Sequence, residues 1–332
     1  MIKEGILKNY PKFKVLKMAS GINLENAKFT KRKKEVNAPS TSLKKYGNYW
    51  FKLKKGNALF KTYDSNYNSE IRELRIINEL ICQNLAKQIG IPYAEYEPAH
   101  MGEDTGLVTY NVLKDGQKLV PLAKFLSYDL TLRNNLVDIS TAVTYYRDLG
   151  YNINSDVLYN IYTYIVFDAL TLQTDRNNYN VYFILDKNAN TFTVSPLFDS
   201  EYAFNGEYLE LSHSNMINTY DLLLKQYSFE SKYLNIEYEM PGKTNTYYNN
   251  VRNICNLAKS DKKFNDFLKN ALKKFNILSA INEVEDLGYE ISDEYKEYLT
   301  KLTAKTKALM KKELAKPKDE YTTYLYDEYI KI

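Results

Sequence analysis

TDRNNYNVYFILDKNANTFTVSPLFD, Thr174 to Asp199, opens on a polar, turn-like cluster and continues as two short apolar runs around DKNAN. The runs VYFIL and TFTV are β-branched and aromatic and flank turn residues, which predicts a hairpin. Ahead of them, Val157, Leu158, Ile161, Ile165 and Phe167 fall on the buried side of a helix expected to start at Ser155. Three hard-oxygen donors mark this helix–loop–hairpin unit: Asp175, Asn180 five residues on, and Asp199 after the second strand. Such a set suits Mg²⁺ bound to nucleotide phosphates, because magnesium takes one or two carboxylates together with phosphate oxygens and water. Phosphoryl transfer also needs a base that positions the acceptor beside that metal. The order of the residues assigns Asp175 as base and Asn180 and Asp199 as metal ligands.

Working outward, Ile71, Leu74, Ile77, Ile81 and Leu85 recur at helical spacing after Ser69, a candidate N-cap, and Gly90 with Pro92 stops the pattern. This predicts a helix over Ser69–Ile89, whose Glu79 lies far from the Ile77/Ile81 stripe and so reads as outward-facing. Tyr49, Trp50, Phe51 and Leu53 favour a strand, as does TGLVTYNVL (Thr105–Leu113), closed by the turn signal Asp115-Gly116. The C-terminal part reads as helices, with one stripe through Phe264, Phe267, Leu268, Leu272 and Phe275 and another through Leu299, Leu302, Leu309 and Leu314. Strands mixed with one helix come first and helices dominate afterwards, an α+β pattern.

The 332 residues suffice for one large domain or two lobes. Lys and Arg number 45 against 41 Asp and Glu, a net charge of +4, so no nucleic-acid partner is expected. Two cysteines, Cys82 and Cys255, and two histidines, His100 and His213, exclude a disulfide framework, a thiolate zinc cluster and a histidine-rich metal site. The first residues lack the apolar stretch of a signal peptide, and no run is long enough to span a membrane. The expectation is a cytoplasmic protein, with secretion by a route without a classical signal as the alternative. Its 32 tyrosines are most simply the mark of an AT-rich genome, each replacing Phe or Leu where a ring is half-buried and its hydroxyl wet.

The motifs resemble those of the HipA-like serine/threonine kinases, including the compact CtkA-like members. TDRNNYN is similar to that family's Asp-Arg-His-x-x-Asn loop, SPLFD to its metal-binding Asp segment, and INELICQNLAKQIGIP to its Asn-Glu-x-x-Cys-x-x-Leu-Ala-Lys-x-x-Gly helix. The resemblance covers about Thr41 to Leu211. It implies a bilobal protein-kinase-like fold, with a small mixed α/β N-lobe over residues 1–113 and a mainly helical C-lobe over 114–332. It further implies ATP and Mg²⁺ as cofactors, a protein with a Ser or Thr acceptor as partner, and autophosphorylation. On this match Lys52 in YWFKL is the strand lysine that holds the α and β phosphates, chosen over Lys54 and Lys55, and Glu79 is the helix glutamate that pairs with it. Asn111 to Asp115, with Asn111 and Leu113, is the expected hinge against adenine. Arg176 is a candidate partner for a phosphate or for the segment after Asp199.

Departures accompany the match. Asn177 stands where the family has histidine, and no Gly-x-Gly-x-x-Gly loop precedes Lys52. NAPSTSLKK is then the expected phosphate-covering loop, and Ser40, Thr41 and Ser42 are candidates both for capping phosphates and for an inhibitory phosphorylation. The basic run KFTKRKK just before it reads as a solvated loop or a phosphate-facing one. The chain is expected to lack the extra N-terminal subdomain of the larger toxin members. A phosphoinositide-type lipid kinase, an AMP-transferring enzyme and a pseudokinase binding module remain alternatives on the same residues. Gly242-Lys243-Thr244 fails as a Walker loop because Glu237 stands where that loop needs glycine. Ser212-His213-Ser214 reads as a surface turn, and Cys82 as a core residue.

Overall fold

In the computed structural model the described residues are 21–24, 28–29, 48–62, 69–102, 104–121, 145–153, 156–173, 176, 180–204, 236–240, 243–247 and 251–318. The chain divides into two compact units: Met1–Lys114 with Pro196–His213 and Asn276–Thr300, and Asp115–Ser195 with Ser214–Phe275 and Lys301–Ile332. The first break follows Lys114. Two later segments, however, belong to the first unit, which a single cut in sequence does not anticipate.

The first unit is built on a six-stranded sheet of order β1-β5-β6-β4-β3-β2. Its strands are β1 (Ile22–Asn23), β2 (Lys28–Phe29), β3 (Asn48–Leu53), β4 (Gly56–Thr62), β5 (Tyr96–Met101) and β6 (Asp104–Tyr110). Leu24, Phe51, Ala58, Phe60, Ala99 and Val108 make a buried cluster on it. Helix α1 runs Ser69–Ile89 and ends where expected, at Gly90, whose φ of +79° lets Ile91 N–H return to the Ala86 carbonyl at 2.9 Å. Later in the chain the same unit holds α5 (Ile277–Glu285) and the first turns of α6 (Asp293–Ala315).

Helix α1 is buried on nearly every face: Ile76, Ile77, Asn78, Glu79, Leu80, Ile81 and Cys82 are each at most 1% exposed. The outward position expected for Glu79 is therefore corrected. A helical wheel assumes one covered face, whereas α1 is covered from several sides by segments far away in sequence. Gln83 bonds both the N–H (2.5 Å) and the carbonyl (3.4 Å) of Tyr96 in β5. Asn84 reaches Ala280 O in α5 at 3.3 Å, and Gln88 exchanges two hydrogen bonds with the Asn276 backbone. Asn78 bonds the Ala203 carbonyl at 3.2 Å and accepts the Tyr295 hydroxyl of α6 at 2.6 Å.

The second unit contains the sheet β7-β9-β10-β8, from β7 (Gln117–Pro121), β8 (Asn152–Ile153), β9 (Tyr182–Asp186) and β10 (Thr191–Val194). The predicted hairpin is β9–β10, antiparallel, with Asp186 Oδ1 accepting the N–H groups of Asn188 and Ala189 in its turn. Helix α2 spans Val157–Thr171, starting two residues later than expected, with Asp156 at its N-cap. Helices α3 (Val251–Ser260) and α4 (Lys262–Lys274) follow, and the Phe264 to Phe275 stripe is buried as predicted. Of the second stripe, Leu299 and Leu302 are buried, while Leu309 and Leu314 are only half-buried and Met310 takes the core position. β11 (Ile236–Met240) pairs with β12 (Lys243–Tyr247), so Lys243 and Thr244 open a strand rather than the helix a phosphate-binding loop requires.

Gly106 in β6 lies so close to β4 that a Cβ there would collide with the Lys61 carbonyl oxygen and sit 2.9 Å from the Phe60 ring. Gly106→Ala must push β4 aside, an overpacking cost of about 1–3 kcal/mol. Urea unfolding of the variant is expected to show that loss.

Candidate active site

The first unit brings a lysine, a glutamate and Asp199 together, and the lysine is Lys61. Its ammonium donates to Asp199 Oδ1 and lies 2.7 Å from Glu201 Oε2. Lys52, chosen from the sequence, is exposed on β3. In the β3–β4 register Lys52 stands opposite Asn57 and Lys61 opposite Asn48. Alternation gives Asn57 and Lys61 the same face, but four residues of strand separate them by about 13 Å. Lys52 and Lys61 thus share a face of the hairpin, and it is Lys61 that meets Asp199. Lys55, also beside it in sequence, pairs instead with Glu97 at 2.5 Å.

Glu79 does not ion-pair with a strand lysine as expected. Its carboxylate accepts the Asp199 N–H at 3.1 Å, the Ser200 N–H at 2.7 Å and the Tyr93 hydroxyl at 2.8 Å. Burial pushes its carboxyl up from 4.5 to about 7; the Lys61 charge opposes that rise and the Asp199 carboxylate adds to it. The Glu201 carboxyl is likewise raised by burial, against the pull of Lys61.

Asp199 is held through its backbone. Leu197 donates to Pro92 O (2.9 Å) and accepts from Ala94 N (2.8 Å), stitching the segment to the loop after α1. Asp199 itself sits at φ +62°, the left-handed region that costs a non-glycine residue about 1 kcal/mol and that aspartate tolerates better than most. Beyond it, Glu201 O and Ala203 O accept from Asn78, and Phe204 O accepts from the Tyr298 hydroxyl at 3.0 Å. Tyr93, Tyr295 and Tyr298 therefore use their hydroxyls at specific carboxylate, amide and carbonyl oxygens. Tyr295 and Tyr298 do so at 2% exposure, well beyond the half-buried role their abundance suggested.

The remaining expected residues fall elsewhere. Ser40, Thr41, Ser42 and Asp175 lie outside the described residues, as do Asn177, Ser212, His213 and most of KFTKRKK. Asn180 is half-buried in the second unit, just before β9. Asn111 is exposed, its N–H given to Asn57 O at 2.9 Å and its side-chain oxygen accepting Leu113 N–H at 3.1 Å. Arg176 does not face solvent: it is 2% exposed and its guanidinium bonds Asp168 on α2, with Nε 3.2 Å from Oδ2 and Nη2 3.2 Å from Oδ1. This buried ion pair ties the Arg176 side chain to α2.

Neither a family model nor a curated protein sequence matches the chain. Among solved structures, the Helicobacter pylori proinflammatory kinase CtkA superposes with a TM-score of 0.58 at 14% identity, over 89% of this chain and 97% of that one. The chain has a kinase-like fold. The overlap takes in nearly all of both chains, in line with the resemblance to compact HipA-like kinases read from the motifs. HipA of Shewanella oneidensis, solved with HipB and operator DNA, overlaps at a TM-score of 0.41 and 12% identity, over 77% of this chain and 58% of that one. The Rio2 kinase of Chaetomium thermophilum overlaps at 0.33 and 13% identity, over 79% and 68% of the two chains. Overlaps this loose say nothing about activity.

Within the kinase-like fold, the residues the sequence reading passed over are Lys61, Arg75, Asn78 and Glu201. Asn78 was present in the quoted helix motif, and Lys61 in the second strand of a hairpin whose first strand carried the favoured lysine. Arg75 and Glu201 had no motif to mark them. Among the described residues no group of three or more His, Cys, Asp or Glu side chains is placed to enclose a metal, and no helix is long and apolar enough to cross a membrane.

Two outcomes follow from this geometry. Because the folded-state pKa of Glu79 lies above its unfolded value, its contribution is most favourable below about pH 4.5 and is lost as pH rises through about 7. Glu79→Gln is expected to flatten the dependence of melting temperature on pH between 5 and 7. Asp168→Ala removes the carboxylate paired with a buried guanidinium and is expected to cost up to about 3–5 kcal/mol in denaturant unfolding.

Proposed function

We propose that this chain is an ATP- and Mg²⁺-dependent kinase that phosphorylates Ser or Thr on a protein, itself included. The observation that carries the proposal is the cluster of Lys61, Glu79 and Asp199 in a kinase-like fold, with Asp199 fixed by its backbone and its carboxylate part-exposed at 28%. The donor chemistry fits magnesium. The part-exposed Asp199 carboxylate, beside Lys61 and Glu201, is a hard oxygen donor of the kind magnesium takes. One hard carboxylate completed by phosphate oxygens and water is an ordinary magnesium pattern.

In this reading Asp199 holds the metal, with Asn180 as the second ligand on the strength of the motif. Magnesium, when bound, would neutralise the phosphate oxygens. Lys61 replaces Lys52 as the residue that steadies the phosphates. Asp175 orients the acceptor hydroxyl and takes its proton, as the acceptor oxygen–phosphorus bond forms and the bond to the leaving ADP oxygen breaks. Asn111 to Leu113 remains the proposed contact for adenine, and Ser40 to Ser42 the proposed phosphate-covering loop. A cytoplasmic location and a protein substrate belong to the same proposal.

Intact-mass spectrometry after incubation with Mg·ATP tests it, beside Asp175→Ala and Asp199→Asn. A phosphoryl-sized increment absent from both variants is the expected result, with peptide mapping to test Ser40, Thr41 and Ser42. An adenylyl-sized increment would instead mean nucleotide transfer. No increment together with no nucleotide binding would mean a pseudokinase, and transfer to vesicle lipid but not to protein a lipid kinase.

A further inference from the structure

Among the described residues Lys61 is ion-paired with two carboxylates, Asp199 and Glu201. Asp199 is the proposed magnesium ligand, and a bound divalent cation would compete with the ammonium for its charge. Glu201 is the other partner, with its Oε2 2.7 Å from Lys61 Nζ. Its side chain is 13% exposed, and its second oxygen lies 3.7 Å from Arg75 Nη1. Arg75 is itself placed by the Tyr202 ring, 4.3 Å from its guanidinium carbon. The Glu201 backbone is fixed as well, since its carbonyl accepts from Asn78 at 3.4 Å. A carboxylate held at the backbone and from both sides is suited to set the position of a flexible lysine. Glu79, though near enough to feel the Lys61 charge, makes its hydrogen bonds to Asp199 N–H, Ser200 N–H and the Tyr93 hydroxyl.

We infer that Glu201 is the positioning residue for Lys61, anchored by Arg75, while Glu79 serves the backbone of the Asp199 turn instead. The two glutamates divide a task that the motif reading gave to Glu79 alone. This inference rests on the proposed kinase reading, in which Lys61 steadies nucleotide phosphates.

A double-mutant cycle on ADP affinity in the presence of Mg²⁺ tests it, using wild type, Glu201→Gln, Lys61→Met and the double variant, each checked for an intact thermal transition. Glu201→Gln is expected to weaken binding about tenfold, the size of one lost charge-assisted contact. In the Lys61→Met background the same substitution is expected to change affinity less than twofold, because Glu201 acts through the lysine. Glu201→Asp, which keeps the charge, is expected to recover part of the loss. Additive effects in the cycle, or unchanged or tighter binding by Glu201→Gln, would overturn the inference while leaving the kinase reading intact. A folded wild-type protein that binds no Mg·ADP would overturn the kinase reading, and the inference with it.

Discussion

The carboxylate of Glu79 accepts two successive backbone N–H groups, from Asp199 and Ser200, inside a helix buried on almost every side. A turn that places an aspartate at φ +62° exposes amides that no strand or helix partner can satisfy. An ionised or hydrogen-bonded carboxylate beneath that turn supplies the missing acceptors, and hydrogen bonds to a charged group contribute about 1.5–3 kcal/mol each. Burying it is costly, which is why its carboxyl is raised to about 7. Two backbone amides of the Asp199 turn depend on this one group.

The surrounding packing explains how such a group can be tolerated. Tyr93 donates to Glu79 from the loop after α1, and the neighbouring Asn78 ties the same turn to Tyr295. Polar groups buried together are stable when each finds a partner, and expensive when one does not. The second unit repeats the principle with Asp168 and Arg176, a buried bidentate ion pair. In the first unit the acidic side chain on the buried helix holds backbone N–H groups, and in the second it holds a guanidinium.

Much of this was legible beforehand. The extent of α1, the β9–β10 hairpin and the α4 stripe followed from periodicity and turn residues, which are local properties of the chain. The kinase-like fold followed from motif order and agrees with the overlap with CtkA. The residue types that come together, a strand lysine with Glu79 and Asp199, were in the motifs. Which lysine meets Asp199 was not, because Lys52 and Lys61 share a face and stand at different ends of the β3–β4 register.

Local sequence therefore determined the elements and the chemical inventory, since helix periodicity, strand alternation and turn propensity act over a few residues. Tertiary structure alone decided which groups meet. The burial of Glu79 depends on α5, α6 and the Pro196–Phe204 segment, more than a hundred residues away, and no wheel drawn on α1 contains them. The same holds for Glu201 and Arg75, an ion pair between residues 126 positions apart. Charge pairing depends on distance in space, and the chain reveals that distance only once its sheet register and helix contacts are fixed.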